Sequence, residues 1–399
     1  MTRRPFLWGA AISAHQTEGQ NQESDWWIFE RRILARRGLQ PSLRAADHWN
    51  RYKDDLDLLA NAGLNAFRCS IEWAKIEPQE GKISEEALEH YAEVFAYAKQ
   101  KNINLCVTLW HFSLPQWAAA QGGMRSAHVR NRFLQYVRLC VERLDPLVDL
   151  WQTMNEPMVY ASEAYRWGSW PPNIRSHFAA LRMTCTLRAL HRQTYAVIRS
   201  LSAKPIGIAK SMIAYLATPR ASLWTRMIQH FRNFSWNRFF FVGQLRWHDF
   251  IGINYYITSI AGRKKDIPTA EKDDMGWECR PEGLVHCIQS ASRMGKPIYI
   301  TENGIATDED EQRIRYLDLH LTSIQKEAKH NPLLHGYFFW SLIDNYEWDK
   351  GFTKRFGLVS YLPVTYARVP KPSLSYYGQR IKEHPTSKSR RSIHGTQKK

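Results

Sequence analysis

The sequence predicts a single (β/α)8 barrel. Three observations carry that expectation: eight short apolar runs of strand type recur along the 399 residues, helical stretches separate them, and no Pro-, Gly- or Ser-rich linker splits the chain. Length alone would also allow two or three ordinary domains. The alternation decides for one barrel over residues 1–383, followed by a basic tail at 384–399 that is expected to be disordered.

The strand-type runs fall at 6–14, 66–71, 105–109, 150–154, 206–213, 250–255, 298–301 and 336–342. Between them, DDLDLLA at 54–60 and YAEVFAYA at 91–98 repeat apolar side chains at helical spacing. The first run follows Arg3 and Arg4 and ends in small residues, which imitates a short signal peptide. Its apolar part is brief, and cleavage would remove core, so it is read as the first strand and a cytoplasmic location is expected. No apolar run reaches the ~18–20 residues that cross a bilayer.

Composition narrows the function classes. Six cysteines, Cys69, Cys106, Cys140, Cys185, Cys279 and Cys287, form no C-x-x-C pair and no secreted-scaffold spacing, so reduced and mostly buried thiols are expected. No H-E-x-x-H, EF-hand loop, P-loop or G-x-G-x-x-G occurs, so neither a metal nor any cofactor is expected.

Net charge is +17 and unevenly placed: residues 164–248 hold eleven Arg, two Lys and no acid, and 384–399 add +5. Over 224–241, Arg226, Arg232 and Arg238 alternate with Trp224, Phe231, Phe234, Trp236 and Phe239. Such a surface could rest weakly on an anionic membrane or glycolipid. The favoured reading is plainer, a helix with its aromatic side on the core and its arginines in water. Nucleic acid is not expected as a partner, because charge is present without a recognition motif.

Two glutamates carry the chemistry. Glu156 lies in TMNEP at 153–157 and Glu302 in ITENG at 300–304, each where an apolar strand passes into a loop. In a parallel barrel the carboxyl ends of distant strands meet in one pocket. Two converging carboxylates, one held protonated and one ionised, can cleave a glycosidic bond. Polar and aromatic side chains collect at the same strand ends: Gln16, Arg68, His111, Asn155, Asn254, Tyr256, Trp340, Glu347 and Trp348. Singly each has a structural explanation, such as an Arg68–Glu72 ion pair or a core Trp340. Jointly, at the ends of eight strands, they point to a site.

FLWGAA at 6–11, FRCSIEW at 67–73, TMNEP, FIGINYY at 250–256, ITENG and WSLIDNYEW at 340–348 resemble, in order, the family 1 glycoside hydrolases, the β-glucosidase and β-galactosidase family. The resemblance implies a retaining double displacement on small β-glycosides, with Glu156 as acid and base and Glu302 as nucleophile, their carboxyl groups ~5 to 5.5 Å apart. It implies that Arg68, Asn254 and Tyr256 support Glu302. It also implies that Gln16, His111, Asn155, Glu347 and Trp348 bind sugar hydroxyls, that Trp340 forms a stacking floor, and that Trp277 and Met158 meet the aglycone. Members acting on 6-phosphorylated sugars replace the Glu347-Trp348 pair with serine, so a non-phosphorylated glycone is expected.

Two positions depart from the family pattern: Phe112 stands where most relatives have Trp, and Met158 where many do. The connection at 241–249 is shorter than in typical relatives, which suits a more open rim and a bulky or lipid-linked aglycone. Two other readings remain open at this level. One is a transglycosylase passing the same intermediate to an alcohol or lipid acceptor. The other is a non-catalytic glycan-binding module, whose usual mark, loss of one glutamate, is missing here.

Overall fold

The computed structural model describes residues 5–383; the expected disordered tail at 384–399 lies outside the described residues. Eight parallel strands close a barrel: β1 Leu7–Ala11, β2 Ala66–Ser70, β3 Asn104–Thr108, β4 Leu150–Asn155, β5 Ile206–Ala217, β6 Phe250–Ala261, β7 Ile298–Asn303 and β8 Leu334–Trp340. Closure places Ala11 of β1 opposite Trp340 of β8. Each strand is followed by a helix: α1 His48–Asn61, α2 Glu85–Gln100, α3 Ala127–Leu144, α4 His177–Leu201, α5 Leu223–Asn233, α6 Pro281–Ser292, α7 Asp310–His330 and α8 Pro372–Glu383.

The strands read as near-continuous apolar runs because helices cover their outer face while side chains fill the interior. Helix starts are set locally. Ser84, Ser126, Ser176 and Ser222 accept the backbone N–H of Ala87, Val129, Ala179 and Thr225, ahead of α2 to α5. Each such cap stabilises by about 1 kcal/mol. In α3 the buried residues Val129, Phe133, Tyr136, Val137, Cys140, Val141 and Leu144 recur every three or four positions. Burying one large apolar side chain of this kind contributes about 1.5–3 kcal/mol.

All eight expected strands are present, with three differences. The run at 6–14 is strand only to Ala11; a helical turn, Ala14–Thr17, then carries Gln16. β5 and β6 outrun their apolar cores because their outer ends pair with each other, from Ala214 opposite Thr258 to Ala217 opposite Ala261. A small hairpin, β9 Val359–Tyr361 and β10 Arg368–Pro370, was not foreseen, since three-residue strands carry almost no periodicity. Four cysteines are buried as expected, Cys279 is half-buried, Cys185 is exposed, and all six are free.

The favoured reading of residues 224–241 is overturned. In α5 the large apolar side chains face water, Trp224 at 68% and Phe231 at 67% exposure, and Gln229 is the buried residue. The reason lies beneath the helix, where the projecting ends of β5 and β6 present carbonyl groups. Gln229 Nε2 donates to Leu216 O at 2.8 Å and to Ser259 O at 3.0 Å. Amides therefore take the inner side.

The carboxyl ends of the strands form one rim. Glu156 directly follows β4, and Glu302 lies near the end of β7 opposite Asn254 of β6. Gly304 lets the rim close there: a Cβ at that position would stand 1.8 Å from the Trp340 carbonyl oxygen.

Candidate active site

A cavity of about 410 Å³ opens at this rim. Gln16, His111, Asn155, Glu156, Tyr256, Trp277, Glu302, Trp340, Glu347 and Trp348 all line it, brought from six of the strands and the loops that follow them. Arg68 and Asn254 lie one layer beneath. Met158 does not reach the cavity: the helical turn Pro157–Tyr160 directs it against the core, and its neighbour Val159 lines the wall instead.

The two carboxyl groups sit in opposite surroundings. Glu302 meets two donors, Arg68 through Nη1 and Tyr256 through its hydroxyl at 2.9 Å from Oε2. Arg68 is fully buried and holds the group in place through a fork of further bonds, from Nε to Gln152 Oε1 and from Nη2 to Asn155 Oδ1, both 2.7 Å. Burial and the Glu302 charge push the Tyr256 phenol well above its ordinary range, which keeps it a donor.

Glu156 has no comparable cation against its carboxyl. Burial, then the charge of Glu302, push it up to about 8, so it is protonated at neutral pH. Its Oε1 has no hydrogen-bond partner among the described residues. Its backbone is held at φ 38°, in the left-handed region, as Phe112 and Trp348 of the same wall are held at 75° and 43°. Conformations of this kind cost ~1–3 kcal/mol each and persist where surrounding packing enforces them.

Asn254 bridges its neighbours, and its amide lies close enough to Glu156 to oppose that group's rise. Its Nδ2 donates to Asn155 Oδ1 at 3.0 Å, and its Oδ1 accepts from Thr301 Oγ1 at 2.6 Å. With Arg68 and Asn254 both on Oδ1, the Asn155 amide nitrogen is turned to His111 Nε2 at 3.0 Å. Burial first and the Arg68 charge second hold His111 well below its ordinary range, so the ring is neutral. With Nε2 accepting, the proton resides on Nδ1, a buried atom without a protein partner. His111 therefore presents an uncharged ring to the cavity.

Opposite it, Gln16 Nε2 lies 3.2 Å from both Glu347 Oε2 and Asn345 Oδ1, while its Oε1 accepts from Ser13. Loss of solvent and the Glu302 charge push Glu347 up to about 8. Trp340 and Trp348 lie on either side of His111, with ring centroids 6.1 and 6.0 Å away. Trp277 packs on Tyr256 at 5.3 Å and forms the outer wall.

Two notable residues escaped the sequence reading, one in the cavity wall and one behind it. Trp170 fills the space beside Phe112, centroids 4.9 Å apart, and its indole N–H points to Asp349. It lies in an irregular loop with no periodic signal. Behind the wall, Lys210 is buried on β5 near enough to Glu156 for the two to interact, and burial lowers its ammonium to about 7. A lysine inside an apolar strand run was the signal for it. No group of three or more metal-ligating side chains occurs among the described residues.

The profile of Glycosyl hydrolase family 1 matches residues 2–247 and 245–386. The two segments meet where the connection at 241–249 is short. Among similar curated proteins, Beta-glucosidase A of Thermotoga maritima is 28% identical over 95% of this chain and 97% of its own length. Beta-galactosidase of Pyrococcus woesei is 27% identical over 92% and 94%. Among solved structures, a beta-glycosidase from Pyrococcus horikoshii superposes with a TM-score of 0.85 at 33% identity, covering 95% of this chain and 96% of that one. The family 1 β-glucosidase from Thermotoga maritima gives 0.86 at 27%, covering 96% and 98%.

Proposed function

Because the chain belongs to Glycosyl hydrolase family 1, we propose that its rim cavity hydrolyses β-linked glucosides, galactosides or related sugars with retention, using Glu302 as nucleophile and Glu156 as acid and then base. The enzyme is a glycoside hydrolase acting on small β-glycosides. The observation that carries the assignment of roles is the contrast within one cavity, one carboxylate bound by Arg68 and Tyr256 and the other buried with an oxygen that has no hydrogen-bond partner among the described residues.

In the first half-reaction Glu302 attacks the anomeric carbon as the glycosidic C–O bond breaks, and Glu156 gives its proton to the departing oxygen. The product is a glycosyl ester on Glu302, and Glu156 is left as a carboxylate. Esterification removes the Glu302 charge that had raised Glu156, so Glu156 becomes easier to keep ionised just when a base is required. It then takes a proton from water, whose oxygen attacks the anomeric carbon and frees the sugar with its original configuration. A retaining path of this kind calls for carboxyl groups ~5 to 5.5 Å apart.

Asn155, adjacent to the acid, is assigned to the 2-hydroxyl, where a bond strengthens as oxocarbenium character develops. His111, the Gln16–Glu347 pair and Trp348 would take the other hydroxyls, with Trp340 as the floor. Residues 1–383 are taken as one catalytic unit. No helix among the described residues is long and apolar enough to cross a membrane, and a cytoplasmic location, with peripheral contact to anionic lipid, fits that. The test is Glu302→Gly: turnover of a nitrophenyl β-glycoside should vanish, and added azide should restore it with an azido sugar as product. Wild-type rates in the variant would remove Glu302 from the mechanism.

A further inference from the structure

The amphipathic helix α5 is built inside out. Its inner side is a stripe of uncharged polar residues four apart. Gln229 bonds the carbonyls of β5 and β6, Asn233 accepts from Asn237 at 2.7 Å, and Asn237 bonds Ile213 of β5 through both its amide atoms. Its outer side is a continuous arc of Leu223, Trp224, Met227, Ile228, Phe231 and Phe234, between 37% and 75% exposed. The hydrogen bonds fix this orientation, so the arc cannot roll inward without stripping Gln229 and Asn237 of their partners.

The charge around the arc selects what covers it. Arg226 and Arg232 flank it on either side at helical spacing, and no acid occurs anywhere in 164–248 against eleven Arg and two Lys. Arg226 donates only to the carbonyls of Pro219 and Ala221, and Arg232 to Gln229. A second copy of this chain would bring like charges face to face. A surface that is apolar below and anionic at its boundary answers both features at once: large aliphatic and aromatic side chains enter the acyl boundary while the arginines remain with phosphate and carboxylate headgroups.

We propose that α5 is an interfacial anchor that docks the enzyme on an anionic lipid bilayer. This rests on the glycosidase reading for its consequence. The helix runs directly into the turn Phe234–Arg238, whose Trp236 lines the catalytic cavity together with Ile213. Docking therefore sets the cavity mouth beside the lipid surface, and the substrates it favours are β-glycosides whose aglycone is an acyl or long alkyl chain held in the membrane.

The experiment is co-sedimentation of the full chain with phosphatidylcholine vesicles with or without phosphatidylserine, at low and high salt. Sedimentation is expected with the anionic vesicles at low salt and should weaken at high salt as exposed charges are screened. Two double variants, Trp224→Ser/Phe231→Ser and Arg226→Glu/Arg232→Glu, should each bind at least about tenfold more weakly. Both should turn over a soluble nitrophenyl β-glycoside at the wild-type rate while losing about tenfold on an alkyl β-glycoside embedded in the vesicle. Inactivity of the wild type on the soluble glycoside would defeat the glycosidase reading alone, since vesicle binding is read separately. Failure to sediment with anionic vesicles at low salt, or binding that both variants retain, would overturn the anchor. So would a dimer in sedimentation velocity that the Trp224→Ser/Phe231→Ser variant dissolves.

Discussion

Replacing Glu302 by glutamine should lower the midpoint at which Glu156 ionises by about one to two pH units. Two causes hold Glu156 at about 8, burial first and the Glu302 charge second, and the substitution removes only the second. Two unit charges ~5.5 Å apart at an effective dielectric of ~20 interact by about 3 kcal/mol, equivalent to about two pH units. Arg68 stands against Glu302 and offsets part of that charge, which brings the expected fall to the stated range. The residue of the effect is desolvation and stays. The assay is carbon-13 NMR titration of carboxyl-labelled glutamate in the wild type, Glu302→Gln and Glu302→Asp, with Glu156→Gln to identify the resonance. In the wild type the alkaline limb of kcat/KM should fall at the same midpoint, about 8. A Glu156 midpoint that does not move in Glu302→Gln would refute coupling across the cavity, and one that drops to the ordinary 4.5 would refute the role given to burial.

Glu156→Gln should abolish turnover of unactivated glycosides yet raise Tm above pH 8 while leaving it unchanged below about pH 4. Because the folded-state value is raised from 4.5 to about 8, the native state keeps a proton the unfolded chain has lost, and that stabilisation fades as pH climbs through this window; a glutamine never ionises. Arg68→Met should cut kcat at least about a hundredfold and cost about 3–5 kcal/mol by denaturant titration, since it leaves the Glu302 carboxylate buried without its cation. Phe112→Trp should cost about 1–3 kcal/mol, because the Phe112 ring already touches Trp170 and Trp348, and Phe112→Trp/Trp170→Phe should recover much of it. Additive losses in that pair would show that the two rings do not share one space.

The barrel was legible because each strand is buried on both faces, so a bare apolar run marks it whatever its neighbours do. The meeting of Glu156 and Glu302 in one cavity was legible for a different reason: they sit at strand ends inside specific local motifs, and barrel closure makes their separation in sequence irrelevant. What could not be read was anything set by a loop. Trp170 reaches the cavity from an irregular segment, and Met158 misses it because the turn after Glu156 directs Val159 to the wall in its place. Asn254 was assigned to Glu302 by the family resemblance, and the register places the two opposite each other. Side-chain geometry then bonds it to Asn155, whose Oδ1 it shares with Arg68, and to Thr301, whose hydroxyl donates to it.

The misreading of α5 shows where periodicity stops being informative. A helix with one apolar face has the same pattern whether that face is turned to the core or to water; the moment gives an axis, and its direction depends on what lies beneath. Here the ground beneath is the outer ends of β5 and β6, which offer backbone carbonyls that need a donor, supplied by the Gln229 amide. The information was present in the sequence, in the type of polar residue. A solvated face is usually built of charged side chains, whereas residues 225, 229, 233 and 237 are threonine, glutamine and two asparagines at helical spacing, with the arginines displaced to the flanks. Uncharged amides recurring every four residues mark a face that bonds to backbone, and the apolar arc opposite them is then the side left for a partner.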